Sequence, residues 1–102
     1  MYRYQTHVQV QNTHWREFHA ILNELNAKLD AMGLTSFQLW DSSFGPWNGA
    51  LLIVDYDNLA AYEREHDAMH ADPACMGLWR DMAPHFDGIP WTDLWWTPSE
   101  PH

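Results

Sequence analysis

The chain has 102 residues, which is room for one small domain, and 46% of them are hydrophobic. Fourteen acidic against five basic residues give a formal charge of -9, which excludes the Lys/Arg clusters that nucleic acid or an anionic membrane surface requires. A single cysteine, Cys75, excludes an internal disulfide and a cysteine-based zinc knuckle, and no apolar run approaches the ~18 residues of a membrane span.

Residues 2–10 alternate, with Tyr2, Tyr4, Thr6, Val8 and Val10 on one face and Arg3, Gln5, His7 and Gln9 on the other. Period two with aromatic and β-branched residues predicts a strand. Asn12-Thr13 is placed to cap a helix, and Glu17 in its first turn favours the positive helix end. Trp15, Phe18, Leu22, Leu25, Leu29 and Met32 then recur every three or four residues, an amphipathic helix that Gly33 terminates.

Residues 35–41 predict a second strand, residues 42–47 (SSFGPW) a turn, and residues 49–56 a third strand that is apolar on both faces. Asp57 or Asn58 caps a second helix running to about Ala71. Asp72-Pro73 stops it and starts a third, since Asp is a good cap and Pro at the first helical position loses no useful hydrogen bond. Cys75, Leu78 or Trp79, Met82 and Phe86 form the stripe of that third helix, which Gly88 and Pro90 break. Residues 91–96 predict the last strand. The domain is expected to span residues 1–98, with 99–102 a short C-terminal tail.

The order β-α-β-β-α-α-β is the split βαβ, ferredoxin-like α+β arrangement, a four-stranded antiparallel sheet with its helices on one face. The third strand is apolar on both faces and the second and fourth carry Trp40, Trp91, Trp95 and Trp96 on alternating sides, so the uncovered face is expected to expose an apolar patch that soluble monomers rarely tolerate. Pairing of two subunits sheet to sheet covers it, so a homodimer is expected. Lone-cysteine usage and the lack of a signal-peptide h-region make the cytoplasm the expected location.

Leu59, Tyr62, His66 and Met69 share one stripe of the second helix, so an imidazole takes a place where the pattern calls for a hydrophobe. His70 follows one turn later. Such a histidine is either a packed core residue or a proton-handling group in a pocket. In the functional reading His66 is a general base or acid, with His70, Tyr62 and His7 orienting it or the substrate. Trp40, Trp79, Met82 and Trp95 are the expected walls. Helical H-x-x-x-H is also a bidentate metal spacing, but no H-E-x-x-H order and no third ligand accompany it. Asp93 lies between tryptophans and needs a partner or water; Asp55 has Arg3 as an available counter-ion. His85, with Asp81 one turn before it, reads as an exposed pair. Glycine-rich phosphate loops, a G-x-S-x-G elbow and a Cys/His pair close in sequence are all missing.

From Leu52 to Trp79 the sequence resembles the dimeric α+β barrel superfamily, in particular NIPSNAP-type and antibiotic-biosynthesis-monooxygenase-type domains. The residues that carry the resemblance are the third strand, Asp57-Asn58-Leu59-Ala60-Ala61-Tyr62-Glu63 and Ala71-Asp72-Pro73. The tryptophan-rich second and fourth strands and the SSFGPWN hairpin depart from it. The resemblance implies a homodimeric barrel with a pocket between the sheet and the helices of each subunit. Relatives of this kind include cofactor-independent monooxygenases, haem-degrading enzymes, lactone isomerases and polyketide cyclases. The expectation is therefore a cofactor-free enzyme acting on a small apolar, aromatic or polyketide-like molecule by proton transfer or oxygenation. Its rivals are a non-catalytic binding or interaction module and, third, a haem protein with His66 as axial ligand.

Overall fold

Alternation in the first strand decides which side of the sheet is filled. In the computed structural model, which describes residues 1–42 and 48–98, β1 (Tyr2–Gln9) buries Thr6 and Val8 and leaves Arg3, Gln5 and His7 on the opposite face. α1 (Trp15–Ala31) buries Phe18, Leu22, Leu25 and Leu29 against the first of these faces. The cap differs from the one expected at Asn12-Thr13. His14 holds that position and makes no side-chain capping bond, because its ring is engaged elsewhere. At the other end Gly33 takes φ 75°, and the Leu34 N–H reaches back to the Leu29 carbonyl at 2.9 Å, closing the last turn as glycine at that place allows.

β2 (Gln38–Asp41) is shorter than the predicted 35–41. The reason is Asn26 on α1. Its amide donates to the Phe37 carbonyl at 3.0 Å and accepts from the Phe37 N–H at 2.8 Å, so a helix side chain satisfies backbone groups that a strand partner would take. The predicted turn at 42–47 lies almost wholly outside the described residues. β3 (Gly49–Tyr56) follows, with Leu52, Val54 and Tyr56 buried among the helices.

Asn58 caps α2 (Leu59–Ala71) by accepting from the Ala61 N–H at 2.8 Å. Asp72 caps α3 (Pro73–Met82) by accepting from the Cys75 N–H at 2.9 Å, with Pro73 in the first turn. α3 ends at Met82, earlier than the expected break at Gly88. Pro84 falls in the following 3-10 turn (Ala83–His85), where it has no N–H to extend the helix. Phe86 then forms an antiparallel bridge with Val10 in place of an extra helical turn. β4 (Trp91–Trp96) completes the sheet.

All neighbouring strands are antiparallel, in the order β2-β3-β1-β4. This is the ferredoxin-like α+β arrangement that the element order predicted. Val8, Val10, Leu25, Leu52, Cys75 and Met82 form the centre of the core between helices and sheet. Cys75 is fully buried, and burial first, then Asp72, pushes its thiol up to about 11, which disarms it as a nucleophile. Among the described residues no helix is long and apolar enough to cross a membrane.

Candidate functional site

Register turns the helix-free face into three cross-sheet rows, because directly paired residues project to the same side. The first row crosses all four strands as Trp40, Leu51, His7 and Trp91. The second is Gln38, Ile53, Gln5 and Asp93, and the third Asp55, Arg3 and Trp95. Polar members of these rows are paired within the chain. Arg3 grips Asp55 with two bonds, at 2.8 and 3.0 Å, the fork geometry that guanidinium and carboxylate share. Gln5 donates to Asp93 Oδ1 at 3.3 Å, and His7 Nε2 lies 3.2 Å from Asp93 Oδ2. Asp93, the acid on an aromatic strand, thus finds its partners on β1.

A cleft of about 490 Å³ opens over the first row. Leu51 and Ala50 lie in its floor, Trp40 and Trp91 line it from the two outer strands, and Asp41, Asp87 and Ile89 stand at its rim. His7 and Trp91 stack 3.6 Å apart and 5° from parallel. Both rings line the cleft. A carboxylate only accepts hydrogen bonds, so in the neutral ring the proton of His7 lies on Nε2 and Nδ1 carries the lone pair. Volume, an apolar floor, two indoles and a His–Asp pair make this the best-formed binding site among the described residues.

The residues expected to act around His66 are brought together, but without room for a substrate. His66 is half-buried on α2 with its ring 5.6 Å from Tyr4, 5.3 Å from Tyr62 and 4.1 Å from His70. Burial first, then His70, lowers its pKa below the usual histidine value. His70 is exposed and donates Nδ1–H to the His66 carbonyl at 2.9 Å, a local bond across one helical turn. Tyr62 packs on Tyr4 and Tyr56, and burial raises its pKa. The hollow beside His66 measures about 10 Å³, the space of a single water. A haem ring on His66 does not fit it.

The other expected wall residues separate. Met82 is buried in the core, and Trp79 meets Phe37 edge to face at 5.5 Å, both on the helix side. Trp95 is across from Arg3 on the open face. The sheet stands between them, since alternation along β4 sends Trp91, Asp93 and Trp95 away from the helices. Trp79 Nε1 is buried with no hydrogen-bond partner among the described residues. Leu59, expected on the buried stripe of α2, is exposed. His85 pairs with His14, Nδ1 to Nδ1 at 2.9 Å, and not with Asp81. Trp91, Asp41 and Asp87 were not singled out as site residues by the sequence; only cross-strand register, with Trp91 paired to His7, assigns the indole to the cleft. Among the described residues no three His, Cys, Asp or Glu converge as metal ligands.

A one-layer sheet under three helices, with its other face open and cleft, defines a small ferredoxin-like α+β domain. The family model described as NIPSNAP matches residues 4–86, and the chain belongs to the NIPSNAP family. No curated protein matches it in sequence. A NIPSNAP family protein of Agrobacterium tumefaciens has a TM-score of 0.73 at 12% identity, covering 93% of this chain and 86% of that one. A NIPSNAP domain protein of Burkholderia xenovorans has a TM-score of 0.74 at 15% identity, covering 97% and 95%. A Caulobacter crescentus protein provisionally named an antibiotic biosynthesis monooxygenase has a TM-score of 0.73 at 19% identity, covering 92% and 86%. At such identities the likeness is one of fold, and function has to be argued from the site.

Proposed function

We propose that this protein binds a small, flat, largely apolar molecule in the open-face cleft and moves a proton on it with His7, without a cofactor. The observation that carries the reading is His7, which lines a 490 Å³ cleft and whose Nε2 lies 3.2 Å from Asp93 Oδ2. Asp93 holds the imidazole in the tautomer whose Nδ1 accepts a proton, and its charge stabilises the imidazolium that results. Removal of a hydroxyl proton from a phenol-like substrate leaves an electron-rich ring, the starting point for proton relocation or for attack on oxygen. The base proposed at first, His66, has about 10 Å³ beside it. That favours His7, with Trp40 and Trp91 as walls, over His66, His70 and Tyr62. A second copy laid on the open face would roof the cleft and exclude water from it.

The test uses 1-naphthol, whose hydroxyl is acidic and whose ring exchanges hydrogen once it is deprotonated. Saturable binding is followed by tryptophan fluorescence, and deuterium uptake from D2O at the ring carbon next to the hydroxyl by proton NMR. His7 takes the hydroxyl proton, a deuteron adds to that carbon, and loss of the original hydrogen restores the ring. His7→Ala should slow enzyme-dependent exchange by roughly 100-fold or more while His66→Ala leaves it unchanged. Exchange lost in His66→Ala and kept in His7→Ala would return the chemistry to the helix. Absence of saturable binding would remove the cleft as the site.

A further inference from the structure

We infer that the cleft takes a flat aromatic molecule carrying a positive charge, such as an aryl-methylammonium or a protonated heterocycle. This rests on the reading of the cleft as the binding site and adds the charge of its occupant. The site is the cleft itself, and its side chains decide which charge it prefers. Trp40 presents an indole, whose negative face attracts cations and repels anions, while Trp91 lines the same cleft with one face stacked on His7.

The charged residues at its rim are Asp41 and Asp87. Asp87 is held there: its backbone N–H donates to the Gln9 carbonyl at 2.7 Å, and its Oδ2 accepts from Asn48 Nδ2 at 3.3 Å. No lysine or arginine lines the cleft among the described residues, and none occurs anywhere in residues 41–63 or 81–102. Arg3, the cation of the open face, is two rows away and committed to Asp55 by both arms of its fork. An anionic aromatic entering here would meet the Asp87 carboxylate and no lysine or arginine. A cationic one meets that carboxylate and the Trp40 indole, in a chain whose overall charge of -9 draws it in.

The ring also has a place to lie. His7 and Trp40 line the cleft from β1 and β2 on either side of Leu51, and these strands are separated by β3, about 10 Å apart at the backbone. That separation admits one planar ring system between two side chains. Asp87 stands at the rim, at the edge of such a ring and not over it, whereas Asp41 pairs with Ala50 and by register projects its side chain to the other side of β2. The charged group is therefore expected on a short arm at the ring margin.

The experiment compares three probes of one shape and different charge on the wild-type protein: 1-naphthylmethylammonium, 1-naphthalenemethanol and 1-naphthoate, each titrated by tryptophan fluorescence and calorimetry. The ammonium should bind about tenfold more tightly than the alcohol, and the carboxylate more weakly than either. Raising salt should erode the ammonium's advantage and leave the alcohol unchanged. Asp87→Asn should move the ammonium toward the alcohol's affinity, with little effect on the alcohol. Equal binding of the three, or preference for the carboxylate, would overturn the charge preference while the cleft remained a binding site. If none of the three saturates, the cleft reading fails along with it.

Discussion

At the residue scale, His66 shows why a histidine on an apolar stripe is ambiguous. The imidazole packs on Tyr4, Tyr62 and His70, and its pKa is lowered by burial first and by the neighbouring His70 second, with Asp67 opposing. A histidine whose folded-state pKa lies below its unfolded value near 6.5 binds fewer protons folded than unfolded in that interval. Its contribution to stability is complete above about pH 6.5 and is lost as pH falls toward the lowered folded-state value. Urea midpoints measured at pH 8 and pH 5 should therefore fall on acidification, and the fall should be smaller in His66→Gln. An identical fall in both proteins would mean that His66 is no more buried than a surface imidazole. Composition alone could not distinguish His66 from His7, since both are histidines within periodic segments. What separates them is the space on the side each one faces.

At the element scale, much of the architecture could be read from local chemistry. Gly33, Asn58 and the Asp72-Pro73 step mark helix ends at the residues where the chain turns, and the run apolar on both faces at residues 49–56 became β3 without adjustment. Two of the misses, the short β2 and the cap of α1, share one cause: a distant side chain replaced a local signal. Asn26 took over the Phe37 backbone and shortened β2. His14 turned from capping α1 to bind His85, and Gln11 fastened the same 3-10 segment by donating to the Pro84 and Phe86 carbonyls at 2.9 and 3.1 Å. This stitching fixes the approach to β4, which delivers Trp91 and Asp93 to the cleft. Replacing either member of the histidine pair by alanine should cost about 1 kcal/mol in chemical denaturation. The double variant should cost clearly less than the sum, because one bond is shared. Strict additivity would show that the two rings do not bond. Cross-strand register is the part no single strand discloses, since it depends on which residues of two strands meet. Hence Trp40 and His7 were legible as candidates, while their common row with Leu51 and Trp91 was not.

At the scale of the whole molecule, the open face poses a problem of solvation. Trp40, Trp91 and Trp95 are each more than half exposed on it, next to Leu51 and around an Arg3–Asp55 pair that needs no outside partner. Exposed apolar area of that kind on one flat side is relieved most simply by a two-fold copy of itself. An interface of standard size buries about 800 Å² on each partner, an area that a four-stranded sheet face can supply. The proposed pairing places Trp95 in the interface, two rows from the cleft. Trp95→Glu is informative because position 95 is 61% exposed in the single chain, so the isolated fold tolerates a carboxylate there, whereas a dry interface does not tolerate the charge. Light scattering behind size exclusion should give twice the chain mass for the wild type and the single-chain mass for Trp95→Glu, with unchanged circular dichroism. A wild type that stays at the single-chain mass into the range of hundreds of micromolar would rule the pairing out. With a dimer confirmed, the affinity of the Trp95→Glu monomer for 1-naphthylmethylammonium then separates two roles of the second copy. Unchanged affinity would mean that one sheet suffices to hold the ligand, and a large loss would mean that the cleft needs its roof.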